Sequence, residues 1–389
     1  MNALRLHALD WIDSELAQLA SDGLLRRQRS VGPLPGGVCE IEGRRLWNFA
    51  ANDYLDLACE PRVLAAAQQA LLDAGAGATA SALVSGRTPW HTALEQEAAR
   101  FLRAEAALLF PTGYAANVGT ICALAGEQDA VFCDRSNHAS LLDGCRLSGA
   151  HFRVYRHDDL PGLVRALERA TVRRCWIITD TLFSMEGDLA PLAELCDIAD
   201  RFEAGLIIDE AHALGVLGPG GRGGAELANI EARVPVRIAT FSKAFGSLGG
   251  CVAGERRLID WLWNCARPQM FSTALPPSAC AAATAALQIA DTEPERRAHL
   301  TQRGAQLRAG LRALGLATTS DIGPIVPVIV ESAERVMQIA AGLESAGFLV
   351  GAIRPPTVPR NTSRLRITLN ANQPPSAIGD LLAALAKLV

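Results

Sequence analysis

The chain is expected to fold as an α/β protein, with a mostly parallel sheet sandwiched by helices and a smaller C-terminal α+β domain. Three observations carry this expectation. Short β-type runs alternate with longer helical patterns through the middle of the chain, as in sheets whose parallel strands are joined by helices on both faces. Near Leu275 the pattern changes to long Ala/Leu/Arg-rich helical stretches, then to mixed strands and helices. The length of 389 residues also exceeds what one hydrophobic core usually holds.

In chain order, apolar residues at Leu4, Leu9, Ile12, Leu16 and Leu19 recur at helical spacing and predict an amphipathic helix. Residues 1–45 are therefore expected as an N-terminal helical segment, 46–288 as a large α/β domain, and 289–389 as the small domain. Strand patterns fall at Ala107–Phe110, Ala130–Cys133, Cys175–Thr179, Leu206–Asp209, Arg237–Phe241 and Cys251–Ala253. Helical patterns fall at His91–Arg103, Asn117–Leu124, Ala139–Leu147, Pro161–Arg169 and Leu192–Phe202. Beyond two helical stretches ending near Leu316, the spacing predicts a strand (Ile325–Val330), a helix (Arg335–Ala346), two strands (Phe348–Ile353 and Arg364–Leu369) and a last helix. PPTVPRNT, between those last strands, is too rich in proline for regular structure.

Composition excludes several classes. The chain is 49% hydrophobic and 20% charged with net charge −4, and its Lys and Arg are scattered, so neither nucleic acid nor membrane is an expected partner. The N-terminus has no signal-peptide pattern and no apolar run is long enough to span a bilayer, so a cytoplasmic location is expected. The ten cysteines show neither C-x-x-C nor zinc spacing. Several, such as Cys122, Cys133, Cys175 and Cys196, sit in apolar segments and read as small hydrophobes in a reducing compartment; no metal site is expected.

Three segments bear on chemistry. GAGATA (Gly75–Ala80) matches a dinucleotide fingerprint by letter, but a helical pattern precedes it where the fingerprint needs a strand. In LIIDEAHALG, Asp209 closes a buried strand and His212 follows it. A carboxylate there fits a ligand in the crevice at the strand ends, and fits a turn cap equally well. In ATFSKAFGSLGG, Lys243 follows a strand into a Gly-rich turn beside Thr240 and Ser242. Lysine condenses with carbonyls, and hydroxyls and glycines beside it suit a phosphate. Pyridoxal phosphate needs such a pair: a Lys to hold its aldehyde as an imine, and an acid opposite its pyridine nitrogen.

At these residues the chain resembles the α-oxoamine synthase family of fold-type I pyridoxal phosphate-dependent transferases. The resemblance runs from about Leu24 to the end and rests on NDYLDLA, LFPTGYAAN, DRSNHASLLDG, TLFSMEGDLAPL, IIDEAHALGVLG, TFSKAFGSLGG, FSTALPP and AIRPPTVPRNTSRLRITL. It implies that Lys243 anchors the cofactor and serves as general base, that Asp209 pairs with the pyridinium, and that His212 bonds the phenolic oxygen. His138 would stack on the ring and Ser184 would sit beside it. Gly113 and Tyr114 would offer backbone amides to the phosphate with Thr240, while Thr273 would reach the phosphate of a neighbouring subunit, which requires a homodimer with shared active sites. Arg366 would grip the amino-acid carboxylate with help from Asn52, and Arg26, Arg354 and Thr357 would lie on the acyl-chain side. Two segments depart from the pattern: Asp56 stands where the family often has Gly, implying a reshaped turn, and GAGATASALVSG varies a Gly/Ser-rich segment.

The C-terminal segment most resembles the branch that condenses L-alanine with a pimeloyl thioester, carried by coenzyme A or an acyl carrier protein, in biotin biosynthesis. The alternatives are relatives that use glycine to make 2-amino-3-ketobutyrate or 5-aminolevulinate, and a non-catalytic partner subunit, which would be expected to lack the lysine.

Overall fold

The computed structural model describes residues 7–319 and 321–389, with the side chain of Glu331 also left aside. Leu4 of the N-terminal pattern lies outside the described residues; the helix occupies Trp11–Ser21.

Two sheets organise the molecule. The first three strands are β1 (Gly32–Leu34), β2 (Val38–Ile41) and β3 (Arg44–Phe49). Then come β4 (Ala106–Phe110), β5 (Asp129–Asp134), β6 (His151–Tyr155), β7 (Arg174–Asp180), β8 (Gly205–Asp209), β9 (Val236–Thr240) and β10 (Gly250–Gly254). The last are β11 (Ile325–Glu331), β12 (Phe348–Ile353) and β13 (Ser363–Thr368). The larger sheet runs β4-β10-β9-β8-β7-β5-β6. Its β6-β5-β7-β8-β9 stretch is parallel, and β10 lies antiparallel between β9 and β4. Buried residues on its two faces pack into separate clusters, one around Leu108, Ile178 and Val252, another around Ile177, Leu195 and Ile208. Near-continuous burial of β4, β5 and β9 is what a doubly covered sheet requires.

The smaller sheet, β1-β2-β3-β12-β13-β11, corrects one expectation. Residues 32–49 were expected to be helical segment and the start of the large domain; they form three strands beside β12 instead. The cause is a two-residue turn at Glu42–Gly43, both at positive φ, which closes Ile41 onto Arg44. That conformation matches the twist of antiparallel strands, and Glu-Gly is a weaker signal for it than Asn-Gly. The edge strand β6 also escaped the sequence pattern, because most of its residues are exposed and no buried alternation marks it.

The largest apolar cluster crosses between the sheets, joining Tyr54, Phe241 and Phe245 to Ile325, Leu365 and Ile367. Of the cysteines, Cys133 and Cys196 are buried and Cys122 and Cys175 half-buried; all ten are free thiols. Register then places the site. Asp180 pairs with Asp209, and Asp209 with Ile238, so the C-terminal ends of β7, β8 and β9 open on one edge.

Candidate active site

The floor of the crevice is acidic. Asp209 is buried, and its two oxygens do different work: Oδ1 accepts from the Ala211 amide and Oδ2 from Asn117 Nδ2 at 2.7 Å. The Ala211 contact is the turn cap that the sequence allowed for Asp209. Asn117 Nδ2 also reaches Ser140 Oγ at 2.8 Å, and that hydroxyl lies 2.7 Å from His138 Nδ1. His138 caps the helix Ala139–Leu147, with its amide donating to Asp180 Oδ2 at 2.6 Å. Burial next to the charge of Asp209 holds the Asp180 carboxyl well above the usual range.

Lys243 enters this floor from the turn after β9. Burial pulls its amine down to about 8, against the opposing pull of Asp209 and Asp180. Its Nζ lies 2.9 Å from His212 Nε2. His212 is buried, and desolvation together with the Lys243 and Arg366 charges keeps it neutral. Behind it, His212 Nδ1 lies 2.6 Å from the Tyr54 hydroxyl, whose oxygen is also 3.1 Å from Asn52 Oδ1. Asn52 Oδ1 accepts from both terminal nitrogens of Arg366 at 3.2 Å, and Arg366 Nε donates to the Ser184 carbonyl at 2.6 Å. A continuous polar path therefore joins the amine to the guanidinium, and residues from opposite ends of the chain meet on it.

The residues fit pyridoxal phosphate. Gly113 and Tyr114 open the helix Gly113–Leu124, where no intrahelical acceptor precedes them. Thr112 takes the next two amides, those of Ala115 and Ala116. A Cβ on Gly250 would come within 2.8 Å of Gly113 Cα, and one on Gly113 within 3.2 Å of Thr240 Cβ. Glycine at both positions lets the helix start close against the end of β9. Amides, the Thr240 and Ser242 hydroxyls and the positive helix end are groups that would suit a phosphate. A lysine of lowered basicity and a buried carboxylate complete the donor set.

Comparison with known proteins agrees. The family model for aminotransferase class I and II matches residues 44–385. The curated 8-amino-7-oxononanoate synthase of Anaeromyxobacter dehalogenans is 50% identical over 382 residues, 98% of this chain and 96% of the relative. The chain belongs to the 8-amino-7-oxononanoate synthase family. Members of this family are pyridoxal phosphate-dependent acyltransferases. Among solved structures, serine palmitoyltransferase from S. paucimobilis with a bound pyridoxal phosphate–myriocin aldimine superposes with a TM-score of 0.92 at 30% identity, covering 98% of this chain and 97% of that one. An 8-amino-7-oxononanoate synthase from Francisella tularensis gives 0.76 at 28% identity, covering 88% and 97%.

Around the core of this 8-amino-7-oxononanoate synthase family site, the structure sorts the remaining residues. Ser184 contacts Arg366 through its carbonyl. Tyr114 is exposed, with its hydroxyl donating to Asp143 at 2.6 Å, which leaves only its backbone amide to face a phosphate there. Thr273 is exposed and bridges Ser81, next to the π-helical turn Ala82–Gly86 formed by the variant Gly/Ser-rich segment. Arg26, Arg354 and Thr357 are brought together: Arg354 donates to the Leu25 carbonyl at 3.1 Å, Arg26 approaches the Pro355 carbonyl at 3.5 Å, and the Thr357 amide donates to Arg354 O. Burial and the neighbouring Arg26 charge lower the basicity of Arg354.

Asp56 does not reshape its turn as expected. It adopts φ 57°, the left-handed region glycine favours, so the backbone keeps the glycine-type shape. Its buried carboxylate accepts from the Gly36 and Gly37 amides and from the Asn370 and Asn372 side chains. Sequence reasoning passed over Tyr54, Asn117, Ser140 and Asp180. NDYLDLA contained Tyr54, but its hydroxyl's target, His212, is 158 positions away.

Proposed function

We propose that this chain condenses L-alanine with a pimeloyl thioester, giving 8-amino-7-oxononanoate, carbon dioxide and the free thiol. The observation that carries the reading is the unbroken path from Lys243 Nζ through His212, Tyr54 and Asn52 to the Arg366 guanidinium. It supplies an amine for the substrate Cα and a cation for the α-carboxylate within one rigid network. Arg366 holds the carboxylate by its planar fork. Lys243, with basicity near 8, takes the Cα proton at Nζ and later returns one to the same carbon. The bound cofactor supplies a sink for the electron pair left at Cα. Asp209, fixed by Asn117 and Ala211, would offer its carboxylate to the cofactor's pyridine nitrogen, and His138 would pack against its ring. The condensation joins Cα to the thioester carbonyl carbon, expels the thiol, and releases the α-carboxylate as carbon dioxide.

The acyl choice rests on Arg354. Among the described residues it bonds only neutral acceptors, Leu25 O and Met337 Sδ. With Arg26 beside it, the pair offers unspent positive charge for the distal carboxylate of a pimeloyl chain. We further propose a homodimer with shared sites: Val84 and Phe271 are 79% and 67% exposed beside Thr273, an apolar margin suited to a second copy.

Mass spectrometry of products tests the reading. Alanine with pimeloyl-CoA or a pimeloyl carrier protein is expected to outperform glycine with acetyl- or succinyl-CoA. Preference for glycine and a short acyl donor sinks it.

A further inference from the structure

Tyr54 was assigned no role, yet its hydroxyl is buried between His212 and Asn52. The residue is fully buried among Phe49, Leu55 and Leu57. Its backbone is fixed at both ends: Tyr54 N donates to Asn52 O, and Ala371 N donates to Tyr54 O, each at 2.8 Å. The hydroxyl cannot swing away from His212 without moving this frame.

A phenol has one hydrogen, and two acceptors lie within its reach. Asn52 Oδ1, at 3.1 Å, already accepts two bonds from Arg366. His212 Nδ1, at 2.6 Å, is the closer. A neutral imidazole carries its proton on one nitrogen and accepts at the other. His212 Nε2 faces Lys243. Once the lysine nitrogen has no proton to give, either as the free amine or when joined to the cofactor, Nε2 must carry the proton to make any bond on that side. Nδ1 must then accept, and Tyr54 is the donor at hand. Protonation states agree, because burial pushes the phenol up to about 12 and holds His212 neutral.

We infer that Tyr54 is a positioning residue that donates to Nδ1 of His212 and so keeps Nε2–H directed at the Lys243 side of the site, where the cofactor ring is held. This rests on the proposed pyridoxal phosphate chemistry, with Lys243 and His212 facing the cofactor. The same hydroxyl borders Asn52, whose Oδ1 keeps its two bonds from Arg366.

The test uses the pyridoxal phosphate-loaded enzyme with ¹⁵N-labelled histidine. In the wild type, His212 is expected to show a protonated Nε2 and an unprotonated, hydrogen-bonded Nδ1. In Tyr54→Phe, the ring fills the same space but Nδ1 loses its donor. The His212 signals are then expected to move toward averaged tautomers, pyridoxal phosphate affinity to weaken about 5- to 100-fold, and kcat to fall with little change in the KM for alanine, because Arg366 keeps Asn52. A wild-type enzyme with the proton on Nδ1 overturns the inference, whether or not the variant folds. So does a folded Tyr54→Phe that keeps the wild-type tautomer and affinity. Either result leaves the substrate assignment untouched if the wild type still makes the 8-amino-7-oxononanoate product; a different product with the expected tautomer removes the assignment and spares Tyr54.

Discussion

The two walls of the crevice are built differently. One wall comes from the parallel sheet: Asp180, Asp209 and Thr240 end three adjacent strands, and Lys243 and His212 lie within three residues of two of those ends. The other comes from chain segments that meet only in the folded molecule. Asn52 follows β3, Arg366 lies in β13, and Arg26 and Arg354 each reach across 329 positions, to the Pro355 and Leu25 carbonyls respectively. On the proposed function, proton transfer falls to the wall built from strand ends, and substrate recognition to the wall assembled from both ends of the chain. The arrangement lets substrate contacts vary while proton-transfer geometry stays put.

The largest break in the comparison is expected from the first wall. Lys243→Ala should lower turnover by at least about 10²-fold, the scale of a general base, with an unchanged far-ultraviolet circular dichroism spectrum. Near-normal turnover would overturn the assignment of Lys243. A pH experiment sharpens it. With the amine pulled down to about 8, condensation of cofactor-free protein with pyridoxal phosphate needs the uncharged form. The rate of colour formation should therefore rise through about pH 8 and level off, rather than climb toward 10.5.

The second wall should respond in binding. Arg366→Lys keeps the charge but loses the fork that spans Asn52 and the Ser184 carbonyl. A hydrogen bond to a charged group is worth about 1.5–3 kcal/mol, so kcat/KM for alanine should fall about 10- to 100-fold. Steady-state kinetics that show a pure kcat loss with unchanged KM would place Arg366 in proton transfer instead of binding.

Legibility in the sequence follows the same division. The strands β4, β5, β7, β8, β9 and β10 were readable because each is a buried apolar run closed by Asp (β5, β7, β8), by Gly (β10), by Pro111 after β4 or by the Ser-Lys turn after β9. Asp209, His212 and Lys243 were readable because each stands within a few residues of such an end. Residues 32–49 were not, since their short half-exposed strands gain meaning only beside β12. Nor was the Asp56 carboxylate, whose four donors come from two remote loops. Asp180 was passed over, one residue beyond the expected strand; its proximity to Asp209 appears only across the ladder.

Asp56 tests whether those remote loops hold the recognition wall in place. Asp56→Gly keeps the left-handed backbone but leaves four N–H donors without their acceptor. Because water can reach part of this turn, the expected loss is about 2–3 kcal/mol in urea unfolding, with KM for alanine rising and the Lys243 titration unmoved. A shift in that titration would mean the two walls are mechanically one.

The smallest effect concerns how the wall from the sheet is braced. His157 bridges Asp134 at the end of β5 and Asp188 in the loop carrying Ser184, at 3.0 Å each, and packs edge-on against Phe183. Hydrogen bonds to Asp134 and Asp188 raise its basicity to about 10. The folded state thus binds a proton that the unfolded chain, titrating near 6.5, has released. The stabilisation is full below about 6.5 and is lost as pH rises through about 10. Solvent reaches the Asp188 side, so the difference in unfolding free energy between pH 6 and pH 10 should be only about 1 kcal/mol. His157→Gln, which keeps a hydrogen-bonding side chain without the charge, should remove that slope while sparing alanine KM, because Arg366 grips the loop through the Ser184 carbonyl rather than through Asp188. If instead KM rises with the loss of the slope, the brace on the sheet wall also sets the recognition wall, and the separation between them fails at this loop.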